Sequence, residues 1–307
     1  MVIASDGLFY RGLLCTVLSI AIHEKTHPLR IHILDGGLNQ NEWISLEEKL
    51  LLCNKQCDLI RHSFNKEMCS GLAEISEYGL MTYARILIPQ LVEAARAIYV
   101  DSDFIITRQI SDSLQYFDEG VALSGTAQSG NLSQDCPWSD EGGLKKYPYV
   151  NAGFLLMNLG KWREDGITDR MFRFLRKESR RCRYADQSAM NWLLKDEMAL
   201  LPREWNTFAN QVDDLEVAAL PGRINIHYAS GLKPWKRPIP TLSHGVWWEF
   251  AKRVMEKTDL NRKLLIPENL IRYLRYCTPG RVRHLKRQLP GWKSYWKSVV
   301  PPDLRTA

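Results

Sequence analysis

The chain has 307 residues, 45% apolar and 25% charged, with a formal net charge of +6. This composition excludes a disordered chain and suits one large α/β domain with an appendage. The charge is unevenly placed. Residues 271–300 hold Arg272, Arg275, Arg281, Arg283, Lys286, Arg287, Lys293 and Lys297 and no acidic residue, so the rest of the chain carries −2. An anionic partner would therefore meet the C-terminus rather than the whole surface.

Apolar runs at residues 2–4, 31–34, 59–60 and 97–100 end in polar turns, with helical periodicity between them. That alternation predicts a Rossmann-like, doubly wound α/β fold on a mostly parallel sheet. Residues 12–22 are too short to span a bilayer and follow a strand and Asp6. They read as the helix of a first βα unit rather than as a cleaved leader. Residues 120–149, rich in Ser, Gly and Asp, are expected to form one long functional loop. Regular structure resumes over 153–159, followed by a helix over 168–181 and another after Asp186. Seven cysteines (15, 53, 57, 69, 136, 182 and 277) lack the paired spacing of a zinc site or a disulfide framework and read as reduced thiols, Cys53 and Cys57 included.

In a doubly wound sheet ligands bind beyond the carboxyl ends of the strands, where Asp6, Asp35 and Asp101 fall. Asp101-Ser102-Asp103 follows the run Ile98-Tyr99-Val100. Two carboxylates flanking one residue can approach a single hard divalent cation, which could in turn bridge to a diphosphate. By itself such a pair is more often a solvated turn.

His227-Tyr228-Ala229-Ser230-Gly231-Leu232-Lys233-Pro234-Trp235 combines an imidazole that can complete a manganese site, a glycine that admits a close phosphate and an ammonium to neutralise it. A glycine turn closed by proline is the plainer reading. In Tyr149-Val150-Asn151-Ala152-Gly153, Asn151 offers both a donor and an acceptor for sugar hydroxyls. Tyr184-Ala185-Asp186-Gln187 opens a helix, where Asp186 alone would pass for an N-cap.

These segments, with Ala4-Ser5-Asp6 and Met81-Thr82-Tyr83-Ala84-Arg85-Ile86, resemble in order and separation glycosyltransferase family 8 from Val2 to about Pro240. The family comprises retaining enzymes of the GT-A fold, including glycogenin and bacterial lipopolysaccharide glucosyl- and galactosyltransferases, and the bacterial branch fits best. The resemblance implies a catalytic domain over residues 1–255 and a basic, aromatic tail over 256–307. It implies Mn²⁺, or Mg²⁺, on Asp101, Asp103 and His227. The UDP-sugar donor would meet Ala4 and Asp6 at its uracil and ribose, and Asp101, Ser102, Gly231 and Lys233 at its diphosphate. Arg85, Asn151, Asp186 and Gln187 would line the sugar pocket, with Gln187 near the anomeric carbon.

Two segments depart from the family pattern. Gly7-Leu8-Phe9-Tyr10 replaces a polar residue followed directly by Tyr, leaving Phe9 or Tyr10 to stack on the base, and Ser124-Gly125-Thr126 stands where relatives often carry an Asp.

The implied reaction moves a hexose from UDP-glucose or UDP-galactose to a hydroxyl of a glycan or glycolipid acceptor. No activated carboxylate pair stands out as nucleophile and acid/base, which favours same-face attack by the acceptor. The tail interleaves its cations with Tyr273, Tyr276, Trp292, Tyr295 and Trp296. Such a segment suits an anionic membrane surface, and the resemblance implies a cytoplasmic enzyme attached peripherally to the inner face of the cell membrane. Three rivals are a self-glucosylating enzyme like glycogenin, a nucleotide-sugar hydrolase and a nucleic-acid-binding protein. The last leaves the ordered motifs unexplained, and no nucleic acid is expected as a partner.

Overall fold

The buried strand β1 (Val2–Ser5) feeds α1 (Tyr10–His23), in which every residue from Gly12 to Ile22 is buried. β2 (Leu29–Asp35) follows, then α2 (Gln40–Cys53), whose first turn is closed by Asn39 and Glu42 in a reciprocal capping box, then β3 (Cys57–Ser63). A 3₁₀ segment (Leu80–Leu87) and α3 (Ile88–Leu91) lead into β4 (Arg96–Val100) and β5 (Phe104–Ile105). Next come β6 (Leu123–Ala127), β7 (Val150–Asn158), α4 (Leu159–Glu164), α5 (Ile167–Glu178) and α6 (Ala185–Leu193). The chain continues through β8 (Met198–Leu201), β9 (Thr207–Phe208), α7 (Ala209–Asp213) and β10 (Ile226–His227). It ends in α8 (Leu242–Val254) and α9 (Pro279–Val299). This computed structural model describes residues 1–74, 79–128, 147–214, 220–229, 231–236, 239–256 and 278–305.

Seven strands form the central sheet in the order β3-β2-β1-β4-β7-β6-β8. β7 runs antiparallel to both its neighbours, and every other adjacent pair is parallel. The winding runs from β1 out to β3 and then reverses to β4, so the carboxyl ends of β1 and β4 meet at a topological switch point, the expected ligand position. A second, three-stranded sheet, β5-β10-β9, pairs His227 directly with Phe104.

Three expectations need correction. The long loop loses residues 123–127 to β6, an interior strand whose serine and glycine answer to packing rather than to turn chemistry. A side chain at Gly125 would place its Cβ 2.9 Å from Leu155 Cδ2. Residues 129–146 of that loop lie outside the described residues.

Asp35 does not face a ligand cleft. Its carboxylate pairs with Arg61 at 2.6 Å and caps the backbone N–H groups of Gly37 and Leu38, so its role is local.

Within the described part of the tail, the two tryptophans face inward rather than toward a bilayer. Trp292 and Trp296 are buried in the core shared with α1 and α8, and the Tyr295 hydroxyl lies 2.5 Å from His23 Nε2. They sit on one stripe of α9, and burying two indoles outweighs leaving them in water. Arg283, Lys286, Arg287, Lys293 and Lys297 occupy the exposed side. Arg272, Tyr273, Arg275, Tyr276, Cys136 and Cys277 lie outside the described residues. Cys15, Cys53, Cys57 and Cys69 are free thiols. Among the described residues no helix is long and apolar enough to cross a membrane.

Candidate active site

One cleft of about 840 Å³ opens at the switch point, and these predicted site residues line it: Ala4, Asp6, Arg85, Asp101, Ser102, Asp103, Asn151, Asp186, Gln187, His227, Gly231 and Lys233. Residues from widely separated parts of the chain meet there because β1, β4 and β10 end, and the antiparallel β7 and α6 begin, on the same side. Asp101 follows β4, where its backbone N–H donates to the Gly153 carbonyl. Ser102 is pressed on α1 so closely that a Cβ at Gly12 would lie 2.5 Å from its carbonyl oxygen.

The β5–β10 pairing delivers His227 to the two aspartates. Its imidazole stacks on Phe104 at 4.2 Å between centroids. His227 Nε2 lies 3.2 Å from Asp103 Oδ1 and 3.8 Å from Asp101 Oδ2. One ligand atom from each of the three residues falls within 4.8 Å of the others, the single such group among the described residues. Asp103 Oδ1 is buried and has no hydrogen-bond partner, whereas its Oδ2 takes the Lys233 ammonium at 2.5 Å. A buried, orphaned carboxylate oxygen facing an imidazole nitrogen and a second carboxylate is a donor set that fits a divalent cation. Burial opposes ionisation of Asp103, but the Lys233 ammonium, the largest favourable influence, overcomes it and holds the carboxyl well below the usual carboxylate range.

A second polar cluster adjoins the first. Arg85 is buried and reaches Asp186 Oδ2 at 2.8 Å, Asp101 Oδ1 at 3.3 Å and the Ala152 carbonyl, with its guanidinium over the Tyr99 ring. Burial disfavours the Arg85 charge, yet Asp101 and Asp186 raise its pKa above the ordinary value. Asp186 has its carboxyl pushed up to about 6, chiefly by burial and against the pull of Arg85; Thr82 donates a 2.5 Å hydrogen bond to it. Ala185 just before it adopts φ +49°, a left-handed conformation that is strained for a residue with a Cβ. That turn directs Asp186 and Gln187 inward together.

Gln187 Oε1 accepts from Asn151 Nδ2 at 3.0 Å and from the Ala152 N–H at 2.9 Å, making an amide wall beside the carboxylates. Asp6 spends one oxygen on the Leu8 N–H. Gly231 has no atom within 4 Å of where a Cβ would stand, which leaves space over its backbone. Phe9 lines the cleft with Lys236 Nζ 4.3 Å above its ring. Tyr10 does not line it. The sequence reading missed Asn206, whose side chain lies between Asn151 and His227, and Asp213, Ser243 and His244 on the wall formed by α7 and α8. No spacing pattern marks any of them.

The family model of glycosyl transferase family 8 matches residues 1–238. The chain belongs to this family. Glycosyltransferase GlyE of Streptococcus pneumoniae serotype 4 is 29% identical over 267 residues, covering 82% of this chain and 60% of GlyE. The lipopolysaccharide 1,2-glucosyltransferase of Escherichia coli K12 is 22% identical, with 76% of this chain and 71% of that enzyme covered. The galactosyltransferase LgtC, solved with donor and acceptor sugar analogues, superposes with a TM-score of 0.64 at 22% identity over 76% of this chain and 88% of its own, and shows the same GT-A fold. The chain thus spans about three fifths of GlyE's length, and less than half of several further streptococcal relatives.

Proposed function

We propose that the enzyme transfers a hexose from UDP-glucose or UDP-galactose, with retention of anomeric configuration, to a hydroxyl of a lipopolysaccharide-type or other glycan acceptor, using Mn²⁺ or Mg²⁺. The observation that carries this reading is the adjacency, in one cleft, of a largely buried Asp-His-Asp group able to hold a cation and a wall of sugar-sized polar groups. Asp101, Asp103 and His227 would hold the cation. A divalent ion there would act as a Lewis acid on the diphosphate of the donor.

The protein's own groups account for the rest. Lys233 supplies a fixed positive charge where negative charge grows on the departing diphosphate. Ala4, Asp6 and Phe9 bound the end of the cleft that suits the uridine. Arg85 and Asp186 form an ion pair whose free edges face the hexose, and Gln187 and Asn151 orient it. Gln187 is an amide, a weak nucleophile, which supports same-face attack by the acceptor over a covalent intermediate on this residue. The outward cations of α9, each contributing about 1 kcal/mol at an anionic bilayer, support peripheral attachment at the cytoplasmic face beside a lipid-linked acceptor.

The test is to incubate the protein with Mn²⁺ and a panel of nucleotide sugars and to measure diphosphate release. Slow release from one UDP-hexose, abolished by chelation and accelerated by the right acceptor, is expected. Absence of both release and UDP binding would overturn the reading.

A further inference from the structure

We infer that Asn206 is a positioning residue: it fixes the tautomer of His227 and ties the cation site to the sugar-facing amides through a hydrogen-bonded relay of fixed direction. The inference rests on the function proposed above for its meaning, though not for its geometry. The relay begins at two backbone groups of β7 that can only donate. The Ala152 N–H donates to Gln187 Oε1 at 2.9 Å, and the Gly153 N–H donates to Asn151 Oδ1 at 3.0 Å. These two contacts settle which end of each amide is oxygen.

The remaining contacts then have one solution. Asn151 Nδ2 donates to Gln187 Oε1 at 3.0 Å, and Asn151 Oδ1 also accepts from Asn206 Nδ2 at 2.8 Å. That leaves Asn206 Oδ1 facing His227 Nδ1 at 2.9 Å. An amide oxygen has no proton to give, so Nδ1 carries it, and Nε2 presents its lone pair toward Asp101 and Asp103. Asn206 is buried, as are Asn151 and His227, so water does not compete for these bonds. A ring N–H held by an acceptor makes the opposite nitrogen a better and better-aimed ligand. The same asparagine also pins Asn151, and through it Gln187, so a change at one end of the relay is felt at the other.

Three measurements on the intact chain test this. In metal-free protein with ¹⁵N-labelled histidine, at a pH where the ring is neutral, His227 should show the Nδ1–H tautomer; the Nε2–H form would overturn the inference. Its resonance is assigned by its loss in His227→Gln. Second, Asn206→Leu should weaken Mn²⁺ binding, read from the free-ion electron paramagnetic resonance signal, by about 10- to 100-fold.

Third, Asn206→Asp separates the two ends. Its carboxylate still accepts from His227 Nδ1, so Mn²⁺ affinity should stay within about threefold of wild type. Its other oxygen now repels Asn151 Oδ1, so kcat should fall by about 10-fold or more through the disturbed amides, an effect comparable to losing one positioned hydrogen bond. Equal loss of Mn²⁺ affinity in the Leu and Asp variants would overturn the role of the acceptor, as would unchanged affinity in both. A wild-type protein that binds no Mn²⁺ would defeat the proposed cation chemistry instead, and the tautomer measurement would still decide the relay.

Discussion

The His227 imidazole rests against the bare Cα of Gly153, so closely that a Cβ at Gly153 would lie 2.9 Å from Nδ1 and in collision with Cε1. The glycine therefore has a reason beyond strand flexibility: it is the slot that lets an imidazole from β10 reach the carboxylates after β4. Gly153→Ala should push the ring away from Asp101 and Asp103 and cost about 1–3 kcal/mol of stability by overpacking. The expected result is weakened Mn²⁺ binding in a protein that still melts cooperatively. Calorimetric titration and thermal denaturation measured together check it, and unaltered Mn²⁺ affinity would contradict it.

Asp103→Asn tests the cation site more directly. It removes the charge that Lys233 stabilises while keeping the side chain's shape. Metal-dependent diphosphate release should fall by about 10²–10³, the scale of losing one preorganised electrostatic contact. A variant with wild-type turnover in Mn²⁺ would remove Asp103 from the reaction.

Much of the site was legible in the sequence, and what escaped has a physical pattern. Asp101 and Asp103 stood out because an apolar run ends at Val100, and the position after a buried parallel strand has few occupants. His227, Gly231 and Lys233 stood out as a compact mixture of chemistries. Asn206 did not, because one asparagine between Trp205 and Thr207 carries no periodic or spacing signal and acquires its role only when β9 and β10 pair. β6 was hidden because its interior packing selects Ser and Gly, residues that otherwise mark turns. The tail was misread in half: its charges drew attention to the outward face of α9, while the stripe of His284, Trp292 and Trp296, at multiples of four, was the inward face.

Asp213 gives the protein a pH dependence with a definite sign. Burial pushes its carboxyl from 3.8 up to about 6, although Ser243 donates two 2.8 Å hydrogen bonds to it. The folded state therefore holds this proton more tightly than the unfolded chain does. The associated stability is fully present below about pH 4 and is lost as pH rises through about 6, amounting to about 3 kcal/mol. Asn at this position accepts the Ser243 N–H and never ionises. The unfolding free energy of Asp213→Asn relative to wild type should rise between pH 4 and pH 7; a difference that stays flat would show that Asp213 titrates normally.

The two faces of α9 make opposite predictions. Trp296 is fully buried, packed at a tilt against Phe250 at 4.6 Å between centroids, so Trp296→Ala should cost about 3–5 kcal/mol through the cavity it leaves. Lys286 and Arg287 are exposed, so replacing both with Gln should shift stability by less than about 0.5 kcal/mol each. Yet if these cations hold the enzyme on a membrane, the double variant should lose about 2 kcal/mol of binding to vesicles containing anionic lipid, roughly 30-fold, at low salt and progressively less as salt screens the attraction. Co-sedimentation of wild type and variant across a salt series reads this out. Binding that is equal for the two proteins, or insensitive to salt, would place any membrane contact elsewhere on the chain and leave α9 as a structural helix whose charges are merely solvated.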